Sequence, residues 1–314
     1  MAMTSDRPAI TVIGAGVMGA GLAQLFAQSG FDVTLHDLTE DCLSAAVSRA
    51  RANLELQARA GWIDESSIEP ALSRIATSTD LAGALRGSGF VIEAVPEDIE
   101  LKRAIFEKLG ELAPPEAVLA SNTSTFNVMA EVEPEIAGRV LITHFFNPPQ
   151  LVPLVEVVRG ESTKEEVVRV TVELLESIGK EVLVLKRYIP GFVVNRFQLA
   201  MNAMAYAILM EDIVEPEDID RAIENSISLR LAVGGPFATM DLGGLDTMAA
   251  SARTMGLEPP PALAERVERG DLGVKTGKGF YDYTGTTERD ILARRDYRLM
   301  LLLEAYRKGL KDLG

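Results

Sequence analysis

Residues 9–37 read AITVIGAGVMGAGLAQLFAQSGFDVTLHD, and Gly14, Gly16 and Gly19 make a G-x-G-x-x-G turn between a short apolar run and a helix-patterned stretch. A glycine pattern alone says little; set directly after a strand and opening a helix, it has the context that its mechanism requires. The first glycine permits a tight turn, the second lets backbone approach a pyrophosphate, and the third lets helix pack closely on strand. The helix then presents free N–H groups and a positive dipole end to phosphate. Gly14, Gly16, Val17, Met18 and Gly19 are therefore cofactor-binding candidates. Asp37 closes the next strand-like run, 18 residues after Gly19 (37 − 19), where a carboxylate accepts hydrogen bonds from ribose hydroxyls. It would repel a 2′-phosphate, and the following Leu-Thr-Glu-Asp supplies no arginine to bind one. The expected cofactor is NAD rather than NADP. His36, beside Asp37, is expected at the surface or the adenine edge rather than in the chemistry.

Strand-like and helix-like segments alternate through the first half. Further strands are expected in 74–80, 90–97, 117–124, 139–146, the stretch VPLVEVVRG and 181–185, with helices over 40–56 and in KEEVVRVTVELLESIG. This alternation predicts a doubly wound α/β sheet. After KRYIPGFVVNR the β-branched runs thin out, and Ala, Met, Leu and acids recur at helical spacing. An all-α domain over 190–314, following an α/β domain over 1–189, is the simplest division.

Composition narrows the partners. Forty-six acidic against 31 basic residues give a formal charge of −15, which argues against nucleic acid and an anionic membrane surface and leaves a small molecule. No run of about 18 apolar residues is present, so no transmembrane helix is expected. The N-terminal MAMTSDRPAI lacks a signal-peptide pattern, and the single cysteine, Cys42, suits a reducing cytoplasm. No metal-ligand spacing stands out.

The chain has two histidines, and the second lies in THFFNPPQLVPLVEVV (143–158). Hydride transfer from a secondary alcohol needs a base for the hydroxyl proton, and imidazole titrates near working pH. His144 sits at the end of a strand, where ligands collect on open α/β sheets. The prolines at 148, 149 and 153 let the chain turn back, so that Glu156 could face His144 and orient the ring. The competing reading is a core histidine beside a solvent-facing glutamate. SNTST (121–125) brings hydroxyls to the same sheet edge, either as substrate contacts or as turn formers. Asn195, in GFVVNRF, is either a helix cap or a substrate contact.

The stretches GAGVMGAG, VIEAVPEDIELK, SNTS, HFFNP, LVEVVRG, PGFVVNR and GVKTGKGFYDY, in this order, resemble the L-3-hydroxyacyl-CoA dehydrogenases over nearly the full length. The resemblance implies a Rossmann domain followed by a helical domain that carries most of a homodimer interface. It makes His144 the general base and Glu156 its partner, with Ser124 and Asn195 on the substrate oxygen at C3. Asn147 would touch substrate or nicotinamide, and Ala94, Glu97, Lys102 and Lys275 would touch NAD.

Three features depart from the acyl-CoA pattern. RARANLELQARAGW (49–62) has arginines where those enzymes carry lysines for the CoA phosphates. Pro153 stands where they commonly have a lysine before LVEV, which is similar to the λ-crystallin/L-gulonate dehydrogenase branch. Arg230 falls where that branch has an arginine able to grip a free carboxylate in a bidentate way. The expected reaction is oxidation of a 3-hydroxyacyl-CoA. A small free 3-hydroxy acid is the alternative substrate, and a non-catalytic NAD-binding protein is the alternative of another kind.

Overall fold

The computed structural model describes residues 7–312. The first six residues of the stretch read for a targeting signal lie outside them. Two compact units divide between Ala200 and Met201. In the first, eight strands form one sheet: β1 (Ala9–Ile13), β2 (Val33–His36), β3 (Ile75–Ser78), β4 (Ser88–Glu93), β5 (Val118–Ser121), β6 (Val140–Phe145), β7 (Leu154–Arg159) and β8 (Glu181–Leu185). Their order is β3-β2-β1-β4-β5-β6-β7-β8. β1 through β6 run parallel, β7 returns antiparallel to β6, and β8 runs parallel to β7. The order reverses between β1 and β4, which opens a crevice at the C-terminal strand ends. Helices α1 (Val17–Gln28), α2 (Glu40–Arg59), α3 (Ile68–Leu72), α4 (Leu81–Leu85), α5 (Ile99–Leu112), α6 (Pro134–Ala137) and α7 (Glu165–Ser177) connect the strands, and α8 starts at Val194.

The sheet is apolar on both faces, as strands covered on both sides must be. One face buries Val12, Leu35, Ile92, Leu141 and Val157 against Leu22 and Phe26 of α1 and Leu175 of α7. The other buries Ile13, Val91, Val140, Ile142 and Val158 against Phe106 and Leu109 of α5. Successive side chains of a strand alternate between faces. His144 therefore shares a face with Val140 and Ile142, and Glu156 shares it with Val158.

The expected strand 90–97 stops at Glu93, because Asp98 caps α5 by accepting from the Leu101 N–H at 3.0 Å. The expected boundary at 189/190 falls where the sheet sequence ends, yet the compact units part later, inside α8 (Val194–Met210). The reason is that residues after 190 remain tied to the sheet: Phe192 is fully buried in its core, and the Val193 and Val194 amides bind Glu156.

The second unit continues from α8 into α9 (Pro216–Ala222), α10 (Leu229–Val233), α11 (Pro236–Gly243), α12 (Leu245–Thr254), α13 (Pro261–Arg269) and α14 (Glu288–Asp312), with a π-helix over Ile223–Ser228. Leu245, Ala249 and Leu263 make its core. Buried Asp241 organises the GKGFYDY stretch, accepting from the Phe280 and Tyr281 amides and the Tyr283 hydroxyl. Among the described residues no helix is long and apolar enough to cross a membrane.

The glycine turn yields a test of its two kinds of glycine. A Cβ on Gly19 would lie 1.7 Å from the Gly14 carbonyl oxygen, whereas one on Gly16 would meet nothing within 4 Å. Gly19→Ala should lose about 1–3 kcal/mol in urea unfolding through overpacking. Gly16→Ala should keep wild-type stability and lose NADH binding, measured by fluorescence titration. Equal stability losses in both variants would contradict this division of labour.

Candidate active site

The turn that opens the site is built as its sequence requires. Gly14 has φ +101° and donates its N–H to the His36 carbonyl at 2.8 Å. Gly16 precedes α1 in extended conformation and is exposed, as is Val17, so the helix N-terminus is open where a pyrophosphate would approach. Asp37 holds the turn from the next strand: one carboxylate oxygen accepts from the Ala15 amide at 2.6 Å and the other from the Leu38 amide at 2.7 Å. Of the two places expected for His36, the surface is not where it lies. It is 5 % exposed and its Nδ1 pairs with the Ser78 carbonyl at 2.9 Å, so it is a buried strand residue and not a surface one.

At the far side of the crevice, β6 and β7 pair with His144 directly opposite Glu156. Their side chains meet, His144 Nδ1 to Glu156 Oε2, at 2.8 Å. Glu156 has no exposed surface, and its second oxygen accepts the Val193 and Val194 amides at 2.9 and 3.0 Å, the free N–H groups at the start of α8. Burial alone would raise this carboxyl's pKa. The hydrogen bonds from His144 and the two amides, with the His144 charge, outweigh it and hold the group below its usual range. The competing solvent-facing glutamate does not occur. The ring of His144 lies among Phe146 and Phe192, at centroid distances of 4.4 and 5.4 Å, with Nε2 the nitrogen left for a ligand.

Between turn and histidine lies a carboxylate–lysine network that sequence reading largely missed. Lys102, 1 % exposed, donates to Glu93 at 2.8 Å and to the Val95 carbonyl at 3.3 Å, and lies 3.2 Å from Glu97. Its three donors are thus directed at protein groups. Glu93 is fully buried and also accepts from the Ser121 hydroxyl and the Val95 amide. Glu97 clamps the SNTST segment, accepting from Thr123 Oγ1 at 2.6 Å, Thr125 Oγ1 at 2.9 Å and the Ser124 amide at 3.1 Å. Burial opposes ionisation of Glu97, but the threonine hydroxyls and Lys102 prevail and lower its pKa. Asn195 donates to the Ser124 carbonyl at 3.2 Å, and Asn122 accepts from the Phe145 amide at 2.9 Å. The visible signal for the network was a glutamate ending the apolar run FVIE with a lysine nine residues on (102 − 93).

A cavity of about 350 Å³ gathers these groups: Met18, Ala94, Glu97, Lys102, Ser124, His144 and Asn147 are among its walls. Arg230 and Lys275 belong to the second unit. Lys275 there pairs with both oxygens of Asp246 at 2.6 and 2.7 Å, while Arg230 is exposed with no side-chain partner among the described residues. In α2, Arg51 is engaged by Glu69. No group of three His, Cys, Asp or Glu side chains among the described residues could hold a metal ion.

Such a sheet, glycine turn and ribose-positioned acid suit a dinucleotide, and a histidine with a buried carboxylate at the facing strand ends suits a dehydrogenase. Comparison with known proteins agrees. The family profile described as 3-hydroxyacyl-CoA dehydrogenase, NAD binding domain, matches residues 9–188, and that of the family's C-terminal domain matches 191–283. A probable 3-hydroxybutyryl-CoA dehydrogenase of Deinococcus radiodurans is 37% identical over 282 residues, 87% of this chain and 99% of that protein. The 5-formyl-3-hydroxy-2-methylpyridine 4-carboxylate 5-dehydrogenase of Mesorhizobium japonicum is 30% identical over 302 residues, 93% of this chain and 96% of that protein. Among solved structures, a 3-hydroxyacyl-CoA dehydrogenase from Archaeoglobus fulgidus matches with TM-score 0.78 and 31% identity, covering 96% of this chain and 99% of that one. The chain belongs to the 3-hydroxyacyl-CoA dehydrogenase family, and with it come the NAD-binding domain and the NAD-dependent oxidoreductase activity expected from sequence.

The Glu156 carboxylate carries a pH signature. Its folded pKa lies below the group's ordinary value, so its ion stabilises the fold above that ordinary value, and this stabilisation is lost as pH falls through the folded value. The stability gap between wild type and Glu156→Gln should therefore shrink as pH drops from about 6 to about 3, read by urea unfolding. A gap independent of pH would mean that the charge is not what the fold uses.

Proposed function

We propose that the chain oxidises the 3-hydroxyl of a short 3-hydroxyacyl-CoA to the 3-oxo group, with His144 as general base. The observation that carries this reading is the 2.8 Å His144–Glu156 contact beside a cavity that Ser124 also lines. Bound NAD supplies the hydride acceptor for the hydrogen on C3. The substrate hydroxyl gives its proton to His144 Nε2, and Ser124 and Asn195 hydrogen-bond the same oxygen. Nδ1–H donates to Glu156, which fixes the tautomer and stabilises the imidazolium. Glu156 stays charged because the α8 amides also bind it. Gly14, Gly16, Val17, Met18 and Gly19 receive the pyrophosphate and Asp37 the ribose hydroxyls. Ala94, Glu97, Lys102 and Asn147 border the nicotinamide, with Lys102 acting chiefly through Glu97, since its donors are directed at protein groups. Lys275 completes the cofactor contacts in this reading. Short acyl chains are favoured by relatives named for 3-hydroxybutyryl-CoA.

The free-acid reading rests on unpaired Arg230 and on the Mesorhizobium relative, named for a pyridine carboxylate. Turnover of 3-hydroxybutyryl-CoA and of L-gulonate, followed by NADH absorbance, separates the two. The thioester should be strongly preferred, and His144→Ala should lose roughly a hundredfold or more in kcat. Preference for gulonate, abolished by Arg230→Ala, would make the free acid the substrate. Turnover of neither substrate would point to a binding-only protein.

The working form is a homodimer in the cytoplasm, formed through the helical region. Phe197, Met204, Tyr206 and Met210 of α8 are 61 to 85% exposed, an apolar series that a second copy would cover. Light scattering should give twice the chain mass, falling to one chain in Met204→Glu/Tyr206→Glu.

A further inference from the structure

The cation that the proposed reaction leaves unused is Lys180. It is 7 % exposed, and among the described residues no acidic side chain forms an ion pair with it. Burial pushes its ammonium below the usual lysine range. Its Nζ donates instead to two backbone carbonyls, of Pro149 at 2.6 Å and Val152 at 2.8 Å. Those carbonyls belong to the turn joining β6 to β7, the link between His144 and Glu156.

The sequence of that turn explains why a lysine is there. Pro148, Pro149 and Pro153 carry no N–H, so the segment has more acceptors than donors. The Leu151 and Val152 amides both donate to the Pro148 carbonyl, and the Glu181 amide takes the Pro153 carbonyl. The Pro149 and Val152 carbonyls are what Lys180 covers, and an ammonium brings three donors to one point. The turn also rests on α1: a Cβ on Gly21 would lie 2.6 Å from Pro149 Cγ and 3.0 Å from Gln150 Oε1. The turn is thus held both by close packing on the glycine of α1 and by a buried cation. Asn147, which walls the His144 cavity, immediately precedes it.

We propose that Lys180 is a positioning residue that fastens the Pro149–Val152 turn and thereby sets where Asn147 stands in the His144 cavity. This rests on the reading of that cavity as the reaction site. A displacement of about 1 Å at a reacting centre costs about a hundredfold in rate.

The test is a double-mutant cycle on kcat with 3-hydroxybutyryl-CoA and NAD. Lys180→Met and Asn147→Ala should each lower kcat about tenfold or more, and the double variant should be no slower than Asn147→Ala alone. Losses that multiply, or wild-type kcat in folded Lys180→Met, overturn the proposal. If Lys180→Met does not fold, Lys180→Gln, which keeps a donating amide, carries the same cycle. Amide hydrogen exchange tests the fastening without turnover. The Leu151 and Val152 amides should exchange faster in the variant, with the amides of β6 and β7 unchanged, and unchanged exchange at the turn overturns the fastening. An inactive wild type with faster exchange in the variant would refute the reaction assigned above while leaving the fastening standing.

Discussion

A carboxylate with no exposed surface is the constraint around which the first unit is arranged. Taking Glu156 out of water costs several kcal/mol unless its charge is met by donors. The donors come from two directions, the His144 ring on the neighbouring strand and two backbone amides at the start of α8. Meeting that one charge fixes the β6–β7 register, the entry angle of α8 and the orientation of an imidazole together. A one-residue slip of β7 would turn Glu156 to the opposite face of the sheet and leave all three donors unmet. The proposed catalytic geometry and the fold's specificity therefore share one interaction.

Much of this was legible in the sequence, and the reasons differ by residue. The glycine turn was readable because its mechanism is local: strand, glycines and helix lie within 20 residues (9 to 28), and Asp37 follows at the next strand end. That Glu156 could face His144 was readable from the prolines at 148, 149 and 153, which let the chain turn back into an adjacent strand. What stayed hidden depends on groups that are distant in sequence or that lack a side chain. The Val193 and Val194 amides leave no mark on residue type, and Lys180 lies 28 residues beyond the carbonyl it covers at Val152. The late domain division was hidden for the same reason. VVNR looks like the start of a helical domain, and the backbone bonds to Glu156, with the Asn195 bond to the Ser124 carbonyl, keep it with the sheet.

Lys102 shows how a sequence match and a physical environment differ in what they say. As a motif position it looks like a cation held ready for a cofactor. In its surroundings it sits between two carboxylates and a carbonyl, a closed set in which the positive charge is already balanced. One of those carboxylates, Glu97, gathers three donors from the segment 123–125 on its single oxygen Oε1. A stiff loop around Ser124 follows from that clamp rather than from the loop's own sequence.

The same balance bears on how an acidic chain holds an anionic cofactor. Among the described residues that wall the cavity Lys102 is the one lysine or arginine, and its charge is spent on Glu93 and Glu97. In the proposed reading pyrophosphate binding falls to the α1 N-terminus, where a Cβ on Gly16 would meet nothing within 4 Å and the N-cap makes no side-chain hydrogen bond. A helix terminus presents about half an elementary charge from groups that cannot swing away. Such a site would tolerate a net charge of −15, because backbone dipoles directed at a bound phosphate would outweigh screened surface carboxylates farther off. The glycine turn that decided the fold at the level of sequence is for this reason also what makes the surface charge compatible with NAD.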